Sequence, residues 1–127
     1  MSTHRSVNNI VKFMFTFQNT IKLYHWQTKV YARHIAADNL VSKMTELIDQ
    51  FVEIYIGKMG RLTTAQTLEI EIKTHTDKSI INYLKQARTF LTDQLPKSFH
   101  KNDLDLMNVR DEMLAHINQV LYLFTLE

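Results

Sequence analysis

The stretch Ala32-Arg-His34-Ile-Ala-Ala-Asp38-Asn-Leu40-Val-Ser-Lys-Met44-Thr-Glu-Leu47-Ile48-Asp49-Gln-Phe51-Val-Glu53-Ile-Tyr55-Ile-Gly57 decides how the chain reads. Ala37, Leu40, Val41, Met44, Leu47, Ile48, Phe51 and Tyr55 recur at steps of three and four, the stripe of an amphipathic helix and not the alternation of a strand. A helix is expected from about 32 to 56, ended by Gly57, the residue type that most readily turns left-handed at a helix terminus. Upstream, Val7, Ile10, Met14, Phe17, Ile21 and Tyr24 repeat the period and predict a first helix over 7–28. The turn between the two is placed at roughly 28–32, where Thr28, Val30 and Tyr31 lower helix propensity.

Downstream, residues 57–76 lose the period. Glycines, threonines and the short alternation Leu68-Glu-Ile-Glu-Ile72 predict a connecting loop whose extended piece has no partner. Asp77 is a candidate cap for a third helix carrying Ile81, Leu84, Ala87 and Leu91, stopped by Pro96. Asn102 or Asp103 starts a fourth with Leu106, Val109, Met113, Ile117, Val120, Leu121 and Phe124 on one side. The expected fold class is all-α, a four-helix bundle with short first and last connections and a longer crossing between helices two and three.

Composition agrees. The 127 residues are 45% apolar, enough for one core, so residues 1–127 are read as one domain. Two glycines and one proline are too few for a sandwich or barrel of this length. The absence of cysteine excludes a disulfide framework, thiolate zinc and cysteine nucleophiles, and fits a reducing compartment. No apolar run approaches the roughly 18 residues of a spanning helix, and polar residues from Asn8 to Asn19 interrupt any signal-peptide core. A soluble, cytoplasmic protein without membrane association is expected. The net charge of +2 names no partner. The first 37 residues do hold Arg5, Lys12, Lys22, Lys29 and Arg33 and no acid, so nucleic acid binding, if any, should be weak and salt-dependent.

Chemistry concentrates on the second helix. His34 and Asp38 lie one turn apart, as do Asp49 and Glu53, and at 100° per residue all four fall within about a 100° arc. Imidazole with carboxylate suits iron, manganese or zinc. Any one of these residues alone reads as a solvated helix face. The two pairs are about 22 Å apart along the axis, whereas ligands sit roughly 2 Å from a metal, so one chain cannot close one site with both. Two copies of the helix, antiparallel about a two-fold axis, can, and they would form two sites. A di-iron site inside one bundle draws carboxylates from every helix, but residues 1–37 hold no acid. Glu112 and His116, four apart, read as surface residues.

With these residues in view, Lys22-Leu-Tyr-His25-Trp26, the His34…Asp38 segment and Met44-Thr-Glu-Leu-Ile-Asp49-Gln-Phe-Val-Glu53 resemble the ferroxidase region of Dps, the mini-ferritins. The resemblance covers about residues 20–57 in detail and the rest as helix order. It implies a ferritin-like fold and an iron site shared across a dimer two-fold, with His25, His34 and Asp38 from one subunit and Asp49 and Glu53 from its mate. Trp26 would match the tryptophan beside that site that intercepts oxidising equivalents.

The expected function is Fe(II) binding and oxidation to Fe(III) by peroxide or dioxygen, with zinc or manganese as surrogates, in a homodimer or a higher, iron-storing oligomer. The rival class is a ferritin-like bundle without ferroxidase activity, acting as a structural, interaction or nucleic-acid-associated protein. Richness in Asn, Lys, Thr and Ile fits an AT-rich genome such as that of a large DNA virus, a setting that favours the rival. Clustered acids from Asp103 to Glu112 suit a helix N-terminus. Phe13, Phe15, Phe17 and the six methionines read as packing residues.

Overall fold

The computed structural model describes residues 4–126, with side chains from Val7 onward. Four α-helices follow in order: α1 His4–Gln27, α2 Tyr31–Met59, α3 Ser79–Thr89 and α4 Leu104–Leu123. The described residues form no strand. The stretch 61–76, Leu68–Ile72 included, is irregular, and Leu68 alone of its alternating apolar residues packs on the core.

The predicted stripes are buried except at Val41, Ile81 and Leu121, which are half-buried against the core; on the third helix Ile80, and not Ile81, is the enclosed isoleucine. Phe17, Ala37, Met44, Phe51, Ile80, Leu84, Leu91, Leu106, Met113 and Ile117 are fully enclosed, and Leu40 and Leu47 join them. Burying large aliphatic and aromatic side chains is worth about 1.5–3 kcal/mol each, so this stripe and not helix propensity holds the bundle. Helix α2 is central and packs on both α1 and α4, while α3 packs on α4. Phe13 stacks on Phe90 at 4.0 Å between ring centroids and ties α1 to the end of α3.

Contacts at the two ends give the directions. Asn8 near the start of α1 accepts from the Ala65 backbone at 3.0 Å. At the other end of α1, Tyr24 and Thr28 hold Asp77, just before α3. The crossing therefore runs the length of the bundle and returns the chain to the end where α2 began, which makes α2 and α3 parallel.

Several boundaries differ from expectation for local reasons. Helix α2 runs past Gly57 and stops at Gly60, whose φ of 93° is open to glycine but strained for other residues. Asp77 does not cap α3, because the Tyr24 and Thr28 hydroxyls occupy its carboxylate. The cap is reciprocal instead: Ser79 N–H donates to Thr76 Oγ1 and Thr76 N–H to Ser79 Oγ, both at 2.9 Å. Pro96 does not end α3 abruptly. The helix loosens into a π turn at Phe90–Gln94 and tightens into a 3₁₀ turn at Leu95–Ser98 that holds the proline in its first turn. The Leu91 carbonyl in the π turn accepts from Arg110 Nη1 at 3.0 Å. Phe15 is half exposed and is no packing residue, whereas Phe17 is fully buried. Met1 lies outside the described residues; Met14, Met44 and Met113 are core, and Met59 and Met107 pack against it.

Candidate metal centre

The site is built where α1 ends and α2 begins. Only Thr28, Lys29 and Val30 separate the helices. Thr28 N–H still donates to the Tyr24 carbonyl and Val30 N–H turns back to Thr28 Oγ1, so the hairpin is tight. Its tightness sets His25 against His34. The imidazoles stack with centroids 3.9 Å apart and planes 19° from parallel. His25 Nδ1 lies 2.7 Å from the His34 carbonyl, and His34 Nδ1 lies 2.7 Å from the His25 carbonyl.

A carbonyl oxygen only accepts, so each Nδ1 carries a hydrogen, which leaves Nε2 as the nitrogen of each ring that can take a metal. A metal-ligating histidine is commonly prepared in this way, its other nitrogen donating to a backbone carbonyl. Asp38 follows one turn after His34, and its Oδ1 lies 3.7 Å from His25 Nε2. Donors held about 2.1 Å from one ion lie roughly 3–3.5 Å apart, so this pair is near a metal-bridged separation and too long for a hydrogen bond. Lys22 Nζ approaches the same Oδ1 at 3.5 Å.

A polar clamp locks this end of the bundle, and the sequence reading missed it. Arg33 donates from Nη1 to Tyr24 Oη at 3.1 Å and to the Asp77 carbonyl at 2.6 Å, and from Nη2 to the Phe124 carbonyl at 3.0 Å. Its guanidinium carbon also sits 4.6 Å from the centre of the Phe124 ring. Tyr24 donates to Asp77 Oδ1 at 2.6 Å, and Thr28 Oγ1 donates to the same oxygen at 2.8 Å. In this network α1 and α2 are joined to the residue two before α3 and to the residue that follows α4. The Tyr24 hydrogen bond, with help from Thr28 and Arg33, holds the Asp77 carboxyl below the usual carboxylate range. Burial beside that carboxylate raises the Tyr24 hydroxyl. The sequence signal was faint: an arginine next to a ligand histidine, and an aspartate read as a cap.

The other predicted residues are placed as follows. Asp49 and Glu53 are exposed on α2, on the same side as Asp38 and far along the helix. Among the described residues, no three His, Asp or Glu side chains of one chain converge as a metal cluster. Trp26 is 68% exposed next to His25, with Lys22 Nζ 6.0 Å from its ring. Of the early basic residues, Arg33 is consumed by the clamp and Lys22 faces Asp38. Lys12 is half-buried, Lys29 is exposed, and Arg5 lies outside the described side chains.

The opposite end is simpler. Lys58 bridges Asp103 at 3.3 Å and Asp105 at 3.2 Å, joining the end of α2 to the start of α4. Asp103 also accepts from the His100 backbone N–H, the main reason its carboxyl is held low. No described helix is long and apolar enough to cross a membrane.

Comparison with known proteins gives one relative of note, a protein of Enterobacteria phage T4 described as an uncharacterized 14.6 kDa protein in the mobD-ri intergenic region. It is 32% identical over 104 residues, which cover 81% of this chain and 75% of the phage protein. No solved structure matches the chain. A family model matches residues 25–124, from the first histidine of the stacked pair to the last core aromatic, and on that match the chain belongs to the family of unknown function DUF5856.

Proposed function

We propose that the chain is a ferritin-like metal-binding protein whose substrate is Fe(II), taken up at a site that two copies complete. The observation that carries this reading is the prepared pair of imidazoles, with Nδ1 of each tied to a carbonyl and His25 Nε2 facing Asp38. One oriented imidazole nitrogen, His25 Nε2, and the Asp38 carboxylate make half of a coordination sphere for a borderline divalent ion. Asp49 and Glu53 of a second copy would supply the other half, and both lie exposed on the face an antiparallel mate would use. The single long crossing between α2 and α3 is the connectivity of ferritin-like bundles.

The protein's own work is to hold and polarise the ion. The redox change belongs to the metal: each ferrous ion gives one electron to peroxide or dioxygen. Trp26, the exposed residue that follows His25 in the chain, is the side chain that would intercept oxidising equivalents. A second reading keeps the bundle without the chemistry, as a structural or interaction protein; the kinship with a phage protein is what favours it.

Anaerobic Fe(II) titration followed by addition of peroxide separates the two. Saturable binding at micromolar metal, then ferric absorbance lost in Asp49→Asn with Glu53→Gln, supports the metal reading. Absence of divalent metal binding at that concentration leaves the structural one.

A further inference from the structure

The exposed face of α2 has an order of its own. Tyr31, Ile35, Asp38, Ser42, Thr45, Asp49, Val52 and Ile56 follow one another at alternating steps of four and three, the spacing of a coiled-coil seam. They lie within about a 100° arc, on the side away from the buried Ala37, Leu40, Met44, Phe51 and Tyr55. Tyr31 is 76% and Ile35 41% exposed. Ser42, Thr45 and Asp49 are exposed, and Val52 and Ile56 are half-buried. Of these residues Val52 also packs against the helix's own core, and Thr45 Oγ1 accepts from Gln18 Nε2 at 3.1 Å; the others lie outside that core and can serve another helix.

The seam is also palindromic about the midpoint between Lys43 and Met44. In an antiparallel pair centred there, Tyr31 meets the partner's Ile56, Ile35 meets the partner's Val52, and Ser42 meets the partner's Thr45. Apolar layers close both ends and small residues allow close approach at the axis. A two-fold contact requires such self-complementarity, and a seam matched to itself selects a second copy of this chain as its occupant.

One layer breaks the pattern. Asp38 meets the partner's Asp49, and His34 lies level with the partner's Glu53. Three carboxylates then gather at each site, against one ammonium, Lys22. Each site carries two uncompensated negative charges as water is excluded, and like charges brought together this way oppose association. A divalent cation cancels that charge and binds only when both halves are present.

We infer that self-association through the α2 seam is controlled by divalent metal: the ion is the switch that turns two monomers into the dimer. This rests on the metal site proposed above and adds its regulation. Linkage sets the size of the effect, since an ion at a hundred times its dissociation constant strengthens association about a hundredfold per site.

Sedimentation velocity at micromolar protein, in EDTA, in Zn(II) and in anaerobic Fe(II), is the test, with bound metal measured in parallel by equilibrium dialysis. The expected result is a monomer in EDTA and a dimer holding two ions with either metal. Asp49→Asn with Glu53→Gln should dimerise without metal and ignore it. Ile35→Glu should stay monomeric throughout while keeping its helical circular dichroism. Metal binding with no change in mass, whether always monomer or equally dimeric in EDTA, overturns the switch and leaves the metal site standing. A dimer that binds no metal overturns both.

Discussion

The two halves of the outer face of α2 carry similar chemistry in opposite states of support. In the N-terminal half, His34 is oriented by the His25 carbonyl, Asp38 has Lys22 beside it, and Arg33 anchors the turn to α4 and to the residues before α3. In the C-terminal half, Asp49 and Glu53 project from one straight helix and form no ion pair among the described residues. The difference teaches what each half needs. Imidazoles must be aimed, because only one nitrogen of each can ligate, and aiming requires neighbours. Carboxylates reach a metal with either oxygen, so their helix need only deliver them.

The sharpest way to break the contrast is Arg33→Ala. It removes three hydrogen bonds to a charged group and leaves the Phe124 and Asp77 carbonyls without their donor. We expect a loss of about 3 kcal/mol, read as a melting temperature lower by roughly 10 °C and accompanied by weaker metal binding. Arg33→Lys should not restore it, because a point ammonium cannot bridge the same fork of acceptors.

Asp77 gives the next effect and sharpens it by pH. Its folded pKa is depressed, chiefly by the Tyr24 hydroxyl. Its contribution is therefore present above the unfolded carboxylate pKa of about 3.9 and is lost as pH falls through the folded value. Asp77→Asn should lower stability at neutral pH by about 1–2 kcal/mol and flatten the decline toward acid. Thermal melts between neutral and acid pH measure both.

His25→Ala and His34→Ala should each weaken Zn(II) binding by about 10–100-fold, the scale on which oriented ligands and their outer-shell partners act, by competition titration with a chelating dye. Each change also removes one Nδ1 donor that holds the hairpin, so a modest fall in stability accompanies it. The exposed pair contrasts again: Asp49→Asn with Glu53→Gln should leave metal-free stability no lower than before, and higher at protein concentrations where the variant dimerises, while eliminating Fe(II) oxidation. Smallest of all, Trp26→Phe should leave stability and metal affinity within about 0.5 kcal/mol; if Trp26 intercepts oxidant, tryptophan oxidation on peroxide addition disappears with it.

Much of the bundle was legible because burial leaves a period. Residues such as Phe17, Met44, Phe51 and Met113 must face inward at helical spacing, and any sequence that forms four such helices announces them. The candidate ligands on α2 were legible for the same reason, since spacing along one helix fixes the relative direction of His34, Asp38, Asp49 and Glu53 whatever surrounds them.

What spacing could not reveal depends on residues far apart in the chain. The stacking of His25 on His34 follows from a three-residue turn whose geometry is set by hydrogen bonds across it. The clamp joins Tyr24, Arg33, Asp77 and Phe124, which share no local pattern. The same distance explains the misread cap: Asp77 is a good capping residue locally, but the Tyr24 hydroxyl of α1 and the Thr28 hydroxyl of the turn after it hold its carboxylate more usefully than one backbone amide could. Local periodicity is a property of a single helix and survives in the sequence. The direction in which an imidazole lone pair points is decided by the neighbours that occupy its other nitrogen, and those neighbours exist only once the helices have packed.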